Sequence, residues 1–369
     1  MLQFTLRKGQ SQICGPCLEL MLAAKVRGAI RKPGGIVSGD CVALGVSSAL
    51  SSSACVLYLM RYIKSKIGEP WEKYKLPFDL VVIHVVTPEV EQEDGENVSI
   101  IQKLCSDVHA SFVSIHLDDV FSDEVNNCYS VGGLLDKIVD PTGKEDMKSI
   151  LIKRLLLKTA SSHGCSSLLL GHTSDRLAAS AISAAAKGQG YSLPVTIQII
   201  DNRYGKDMPT IILCSKDVSR EEMHCILTSV TDFATKEGEY RDIEIDMDKK
   251  NLNQLAKHFV AMAQDNNPGG IQNIMSSLAK LVPFDFDEEL YLCPICFAPL
   301  HQDEVPTVED CHASLIATCC DSCRAGIFGS IDKGDSFTNS TIDTVMERLP
   351  RSIVDSMHSS RCRFLESRQ

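Results

Sequence analysis

Two Cys-X-X-Cys pairs near the C-terminus have the residue type and the spacing of a metal-binding site. The pairs are Cys293-Pro-Ile-Cys296 and Cys320-Asp-Ser-Cys323, and 23 residues lie between them. Each pair presents two thiolates from a tight turn, and four thiolates complete the closed tetrahedral set that a structural Zn²⁺ prefers. The spacing therefore predicts a structural zinc site of the zinc-ribbon type. The alternative is a set of reduced thiols without a metal.

The exact ligand set stays open because other donors lie between the two pairs. Cys319 directly precedes Cys320, although the pair spacing favours Cys320 together with Cys323. We assign residues 284–330 to a zinc-ribbon-like module, since this short acidic stretch could hardly bury enough apolar surface to fold without metal. The remaining donors of the stretch are His301, Cys311 and His312.

A third pair, Cys14-Gly-Pro-Cys17, stands near the N-terminus with no second pair beside it. Such a motif next to a βαβ pattern is either redox active or supplies two ligands to a metal that another segment completes. Two ordinary thiols explain the spacing equally well, so the sequence leaves the three interpretations open.

Positive charge is concentrated at the N-terminal end of the chain. Residues 1–75 contain 11 Lys and Arg against 4 Asp and Glu, a balance of +7, and the rest contains 26 against 44, a balance of −18. A basic segment on an acidic body is typical of a protein of which one face meets a polyanion. A solvated basic helix explains the same pattern. We define residues 1–36 as the basic N-terminal segment.

The elements that position these residues follow an alternating strand and helix pattern, which indicates an α/β domain around a mostly parallel sheet. We assign residues 37–283 to this domain and residues 331–369 to a C-terminal tail. Long connections are expected at Glu89–Asn97 and Phe121–Asp146. The predicted strands are Val42–Val46, Leu80–Val86, Phe112–Leu117, Ser167–Gly171 and Thr210–Ser215. The main predicted helices are Ala54–Lys66, Ser99–Ala110, Asp146–His163, Asp175–Lys187, Arg220–Thr235, Asn251–Gln264 and Ile271–Lys280.

Three motifs of this domain carry a resemblance to a known family. Ser47-Ser48-Ala49-Leu50-Ser51-Ser52 follows the first strand, where an α/β fold binds phosphate on helix N-terminal N–H groups. Gly171-His172-Thr173-Ser174-Asp175-Arg176 stands at a later strand end, and Lys187-Gly188-Gln189-Gly190 precedes Leu193-Pro194. In order and spacing they resemble the Ser-Gly-Gly-X-Asp-Ser, Gly-His-Asn-X-Asp-Asp and Arg-Gly-X-Gly elements of the PP-loop ATP pyrophosphatase fold of tRNA-thiolating enzymes.

The departures from the family pattern all fall on the nucleotide site. Ser48 and Ala49 replace both loop glycines, and their side chains obstruct close approach of the backbone to a pyrophosphate. Ser51 replaces the loop carboxylate, and Arg176 replaces the second acid of the later element. The resemblance thus implies a degenerate ATP loop, made by Ser47, Ser48, Ser51, Ser52 and Asp175. Because magnesium-assisted adenylation would miss a carboxylate and a phosphate cradle, we expect no catalytic residue and weak use of ATP.

The resemblance also implies a function and partners. It implies a subunit of the cytosolic complex that 2-thiolates the wobble uridine (mcm5s2U) of the tRNAs for Lys, Glu and Gln. The chain would form a heterodimer with a catalytic PP-loop paralogue that takes sulfur from a thiocarboxylated ubiquitin-like carrier. Arg27, Arg31 and Lys32 would contact tRNA phosphates. In this family a further Cys-X-X-Cys usually precedes the first one, so Cys14 and Cys17 would be a metal half-site.

Two other function classes remain as alternatives. One is an intrinsically active ATP-dependent tRNA sulfurtransferase that uses its serines and Asp175 in modified roles. The other is a zinc-ribbon interaction scaffold unrelated to tRNA. No apolar run approaches the ~20 residues that a membrane span needs, and the first residues lack the apolar core of a signal peptide. The sequence therefore predicts a cytoplasmic protein without membrane contact.

Overall fold

The computed structural model describes the chain over residues 3–5, 12–46, 56–57, 59–60, 78–87, 94–122, 129–204, 209–212, 218–230, 251–267, 269–282, 284, 290–329 and 339–366. The predicted loop residues Ser47, Ser48, Ser51 and Ser52 lie outside this part of the chain. Within it, no helix has both the length and the apolar character needed to cross a membrane.

The strands of the described part form a short hairpin and one larger sheet. They are β1 (Gln3–Thr5), β2 (Gln12–Cys14), β3 (Cys41–Val46), β4 (Asp79–Val86), β5 (Ser111–His116), β6 (Ser167–Leu170), β7 (Ile200–Asp201) and β8 (Thr210–Ile212). The hairpin is β1 with β2. The sheet has the order β5-β4-β3-β6-β8-β7, and every neighbouring pair is parallel except β7 with β8.

The predicted mostly parallel sheet is confirmed. Four of its strands agree with the predicted bounds to within one residue, and β8 begins at the predicted Thr210. The sequence missed β7, because two residues cannot show the alternating pattern by which a strand is recognised.

The helices of the described part cover both faces of the sheet. They are α1 (Gly15–Ile30), α2 (Asp94–Asp107), α3 (Val131–Leu135), α4 (Pro141–Ser162), α5 (Ser174–Ala186), α6 (Leu193–Ile197), α7 (Arg220–Val230), α8 (Leu252–Asn266), α9 (Gly270–Leu278), α10 (Val308–Ala313), α11 (Asp321–Phe328), α12 (Asn339–Met346) and α13 (Arg351–Glu366). Short 3₁₀ helices occur at Leu117–Phe121 and Leu315–Thr318.

The connection predicted at Phe121–Asp146 is wrong, because it contains α3 and the first turn of α4. Helix α4 begins at Pro141, five residues before the predicted start. Asp140 is its N-cap, and the Asp140 carboxylate accepts a hydrogen bond from the Gly143 N–H at 2.8 Å. An Asp-Pro pair is a standard helix start, since Pro suits the first turn and Asp satisfies a free N–H. Similarly, α2 begins at Asp94, inside the acidic stretch predicted as a loop.

Alternate residues of the strands divide the apolar interior into two cores, as expected for a sheet covered on both sides. One core joins Ala43, Val81 and Ile83 to the α4 residues Met147, Leu151 and Leu155. The other core joins the opposite face of the same strands to α1, α2 and α7, through Val42, Leu44, Leu18, Leu22, Ile101, Leu104, Met223 and Ile226.

The C-terminal segments pack onto the α4 side of the sheet. Helices α12 and α13 bury apolar residues in the same core as the cysteines of the C-terminal pairs; they are Val345, Ile353, Met357 and Phe364. Gly143 and Gly326 lie at the crossing of α4 and α11, where a Cβ on Gly143 would collide with the Gly326 carbonyl oxygen. Only glycine permits this approach, which places the second cysteine pair directly beside α4.

Candidate functional site

The first cysteine pair occupies a tight turn stabilised by backbone hydrogen bonds. The Cys293 N–H donates to the Ala298 carbonyl at 2.9 Å, and the Phe297 N–H donates to the Cys293 carbonyl at 2.8 Å. Phe297 adopts a left-handed conformation with φ of 58°. The turn therefore has the compact shape of a knuckle that directs two thiols to one point.

The second pair begins helix α11. Cys320 is the N-cap residue, and Cys323 lies in the first turn. A helix N-terminus favours negative charge and so stabilises thiolates. Without an ion, hydrogen bonds with Cys293 and Cys296 act in the opposite sense and raise the pKa values of Cys320 and Cys323 well above their usual range.

The structure brings the four predicted cysteines together. Their Sγ atoms all lie within 4.8 Å of one another, and the Sγ atoms of Cys296 and Cys320 are 3.7 Å apart. Zn–S bonds of about 2.3 Å in a tetrahedral site separate neighbouring sulfurs by roughly 3.8 Å. Among the described residues, no other group of three or more His, Cys, Asp or Glu side chains converges in this way. The donor set and its spacing therefore fit one tetrahedral ion.

The thiols of this cluster are strongly coupled. Burial opposes ionisation of Cys293, but hydrogen bonds from the surrounding thiols outweigh burial and hold the pKa of Cys293 well below its usual range. Cys319 is fully buried beside Cys293, and burial together with a hydrogen bond to Cys293 raises its pKa. Cys319 thus lies next to the four-cysteine group, and its thiol does not belong to the set of sulfur atoms that all lie within 4.8 Å of one another.

The other donors between the pairs stand apart from the four. Cys311 is buried, and burial raises the pKa of its thiol. His301 is about half exposed, and its Nδ1 lies 3.1 Å from the Asp303 carboxylate. The side chain of His312 lies outside the described part of the chain.

Two arginines from the α/β domain reach the first knuckle, and sequence reasoning missed both. Arg154 of α4 donates to the carbonyl oxygens of Pro294 and Ile295. Arg203, which follows β7, lies 3.5 Å from the Phe297 carbonyl. Some 140 residues of chain separate Arg154 from the knuckle, so no local pattern could reveal the contact.

Cys14 and Cys17 repeat the geometry of the second pair. Cys14 is the N-cap of α1, and Cys17 is an exposed residue of the first turn. The N–H and thiol of Cys17 lower the pKa of Cys14, and the same contact raises the pKa of Cys17. The described residues bring no third ligand to this pair. Cys14 and Cys17 therefore remain a predicted half-site.

The two motifs of the predicted nucleotide site follow the ends of neighbouring strands. β3 ends at Val46, directly before the serine loop, and its residue Gly45 pairs with Leu170 at the end of β6. The order of the sheet changes direction between β3 and β6, which is where open α/β sheets bind ligands. A Cβ on Gly171 would lie 2.7 Å from a Val56 methyl group, so the glycine of the later element is needed for packing.

Asp175 lies at this edge with His172 and Arg176 as neighbours. The Asp175 carboxylate accepts a hydrogen bond from the Arg220 N–H at 2.9 Å and so caps α7. Arg176, at the position of the family's second acid, is exposed. Burial, with the charges of Arg176 and Lys153, lowers the pKa of His172 well below its usual value. The edge therefore keeps one carboxylate, that of Asp175, which caps α7, and presents the cation of Arg176 at the position of the second acid.

The three predicted phosphate contacts lie at the C-terminal end of α1. Arg31 and Lys32 are exposed, and Arg27 is half-buried in the last turn. Cations at this position also interact favourably with the partial negative charge of the helix end. Their placement is compatible with RNA contact and with a purely local role.

No protein-family model matches the chain. It is similar to cytoplasmic tRNA 2-thiolation protein 2 of Oryza sativa subsp. indica, with 25% identity over 359 residues that cover 84% of this chain and 75% of the relative. The protein of that name from Arabidopsis thaliana is 28% identical over 297 residues, which cover 70% of this chain and 61% of the relative. The chain thus spans less than two thirds of the Arabidopsis relative, and the resemblance drawn from its motifs is confirmed.

Among solved structures, the chain is similar to the U34-tRNA thiolase NcsA from Methanococcus maripaludis with its 4Fe-4S cluster. The TM-score is 0.55 at 15% sequence identity, and the match covers 80% of this chain and 87% of that one. At this identity the likeness shows the fold alone. The predicted PP-loop type of α/β fold is confirmed.

Proposed function

We propose that this chain is the non-catalytic subunit of a cytoplasmic complex that thiolates C2 of the wobble uridine in the tRNAs for Lys, Glu and Gln. The names of its relatives and the thiolase fold support the tRNA reaction and the cytoplasmic location. A catalytic PP-loop paralogue would be its partner, and a thiocarboxylated ubiquitin-like protein would deliver the sulfur.

The proposed non-catalytic role rests mainly on the altered nucleotide site at the carboxyl ends of β3 and β6. Asp175 uses its carboxylate to cap α7, and Arg176 places a cation where the family has an acid. The loop itself lacks both glycines, since Ser48 and Ala49 stand there. A magnesium–nucleotide complex would therefore miss the loop carboxylate, the second acid and the backbone cradle that it needs. The partner chain therefore supplies the ATP site.

The contribution of this chain would be tRNA surface and stability of the complex. Arg27, Arg31 and Lys32 are the proposed phosphate contacts, and they belong to the segment that carries the positive charge. Phosphate contacts of this kind make binding weaken as salt rises.

We assign one structural Zn²⁺ to Cys293, Cys296, Cys320 and Cys323. The zinc would join the knuckle to the start of α11 and stabilise residues 284–330 against the α/β body, residues 37–283. Thiolates that hold a 4Fe-4S cluster bind different irons and stand further apart than thiolates that share one ion. The limit of 4.8 Å between these sulfurs therefore favours a single ion over the cluster that the archaeal thiolase carries.

The proposal predicts that cells lacking this protein lose 2-thiouridine from tRNA(Lys), because the catalytic partner is unstable or fails to hold tRNA. The measurement is mass spectrometry of the nucleosides of purified tRNA(Lys). Reintroducing the chain should restore the modification, and so should a variant with Ser47, Ser51 and Ser52 all changed to Ala.

Two results would contradict this account and support an alternative. Unchanged 2-thiouridine in the deletion would favour a scaffold unrelated to tRNA. Failure of the triple serine variant, at normal protein level, would favour an intrinsically active sulfurtransferase.

A further inference from the structure

Arg154 crosses from the α/β body into the first cysteine knuckle. Its Nη2 donates to two successive carbonyl oxygens, those of Pro294 and Ile295, and its Cζ lies 4.6 Å from the centre of the Phe297 ring. All three partners belong to the turn that contains Cys293 and Cys296. One guanidinium therefore holds the turn by hydrogen bonds on its edge and by stacking on its face.

The charge of Arg154 has no carboxylate counterpart in the described part of the chain. Its contacts there are the two carbonyls and the aromatic ring, and its Nε is buried without a hydrogen-bond partner. Burial lowers the pKa of Arg154, and Tyr204 and the nearby cysteines act in the opposite sense. A desolvated cation without an anion destabilises a fold.

The other arginines near the cluster already have carboxylate partners. Arg203 makes a two-pronged ion pair with Asp201, at 2.9 and 2.8 Å. Arg324 pairs with Asp321 in the first turn of α11. Arg154 therefore differs from both, and in the described part of the chain the ionisable groups that favour its charge are Tyr204 and the cysteines.

Four thiolates around one divalent cation leave a net charge of two minus. That centre would lie beside Arg154, whose electrostatic partners include Cys293, Cys296 and Cys323. We infer that Arg154 is a positioning residue of the metal centre, which fixes the knuckle through its carbonyls and balances the charge of the metal-bound thiolates. This inference rests on the metal site proposed above. Because Arg154 belongs to α4, metal occupancy is coupled to the stability of the α/β body.

The test compares Arg154→Met and Arg154→Lys with Lys158→Met as the control. Lys158 is an exposed residue on the same helix, four positions away. Zn²⁺ affinity is measured by competition with a chromophoric chelator, and thermal unfolding of the full chain is measured with Zn²⁺ and after chelation. Co²⁺ substitution reports the ligand set through its thiolate charge-transfer absorption.

Arg154→Met should weaken Zn²⁺ binding about tenfold or more, the usual effect of losing a group that orients metal ligands. Its unfolding midpoint should fall in the zinc form but not in the chelated form, since the cation is useful only when the thiolates are charged. The Co²⁺ spectrum should keep four-thiolate absorption. Arg154→Lys should bind Zn²⁺ with intermediate affinity, because lysine keeps the charge but cannot bridge two carbonyls while stacking.

If the unfolding midpoint of Arg154→Met falls equally in the zinc and chelated forms, the inference is overturned, since Arg154 then makes a merely structural contact. Unchanged zinc affinity in Arg154→Met would overturn it as well. If Arg154→Met fails to fold, a Zn²⁺ affinity of Arg154→Lys equal to that of the wild type would also overturn the inference. A wild-type chain that binds no Zn²⁺ would instead contradict the proposed metal site itself.

Discussion

A chain in which Cys293 and Cys296 are both changed to Ser is expected to lose its metal and most of its soluble yield together. The four-cysteine module contributes buried residues to the core beneath α4, including Ile295, Leu300 and Phe328. Metal binding to such modules is worth about 10–16 kcal/mol in isolated peptides, and that free energy supports folding. Without it, the apolar side chains of the module become exposed and the chain aggregates.

The measurement is zinc content per chain by elemental analysis, with soluble yield measured in parallel. Cys362→Ser is the matched control, because Cys362 is an exposed thiol on α13 and belongs to no metal-ligand group among the described residues. The control should keep about one zinc per chain, as a single four-thiolate site requires. Unchanged zinc in the double variant would remove the zinc-ribbon assignment.

Asp201→Ala is expected to lower the free energy of unfolding by about 3–5 kcal/mol at pH 7, because it removes one member of a buried ion-pair group. The Asp201 side chain is 4% exposed and lies 3.2 Å from Lys153 Nζ and 2.8 Å from Arg203 Nη2. Its loss leaves two cations without their anion. Arg203 would then also lose its fixed position beside the Phe297 carbonyl of the knuckle.

The effect of Asp201 should depend on pH. Burial alone would raise the pKa of Asp201, but the charges of Arg203 and Lys153 outweigh burial and hold it well below its usual range. A carboxylate with a lowered pKa stabilises the fold above its unfolded pKa of about 3.9, and that contribution is lost as pH falls below this value. The difference between wild type and Asp201→Asn should therefore be constant above about pH 5 and shrink in more acidic solution.

Urea unfolding followed by circular dichroism at several pH values measures both effects. Asp136→Asn is the control, since Asp136 is exposed and such substitutions change stability by about 0.5 kcal/mol or less. If Asp201→Ala lowers the free energy of unfolding no more than the control does, the role assigned to this ion-pair group is contradicted.

The strands and the cysteine cluster were predictable because their signals are local. A buried strand such as β4 shows a continuous apolar run, and a Cys-X-X-Cys pair shows its function in its spacing. The structure adds that Cys320, not Cys319, completes the four-sulfur group with Cys323. This distinction depends on the direction in which each side chain leaves the start of α11, which sequence spacing only suggests.

The features that sequence reasoning missed depend on contacts between distant segments. In the sequence, Arg154 is one of several basic residues of a predicted helix. Its contact with the knuckle becomes visible only in the folded structure, where α4 packs beside the knuckle. The capping of α7 by Asp175 joins residues 45 positions apart. The late predicted start of α4 has another cause, because Asp140 and Pro141 form a local helix-start signal that the predicted loop leaves unused. Long-range packing and one overlooked cap therefore account for these differences.

The most direct test of the central claim is 2-thiouridine formation by purified components. This chain and its PP-loop partner are assayed alone and together on tRNA(Lys) with ATP and the thiocarboxylated carrier. Thiolation should require both chains. Mutating the partner's loop should abolish it, whereas changing Ser47, Ser51 and Ser52 in this chain should leave it intact. Thiolation by this chain alone would contradict the account.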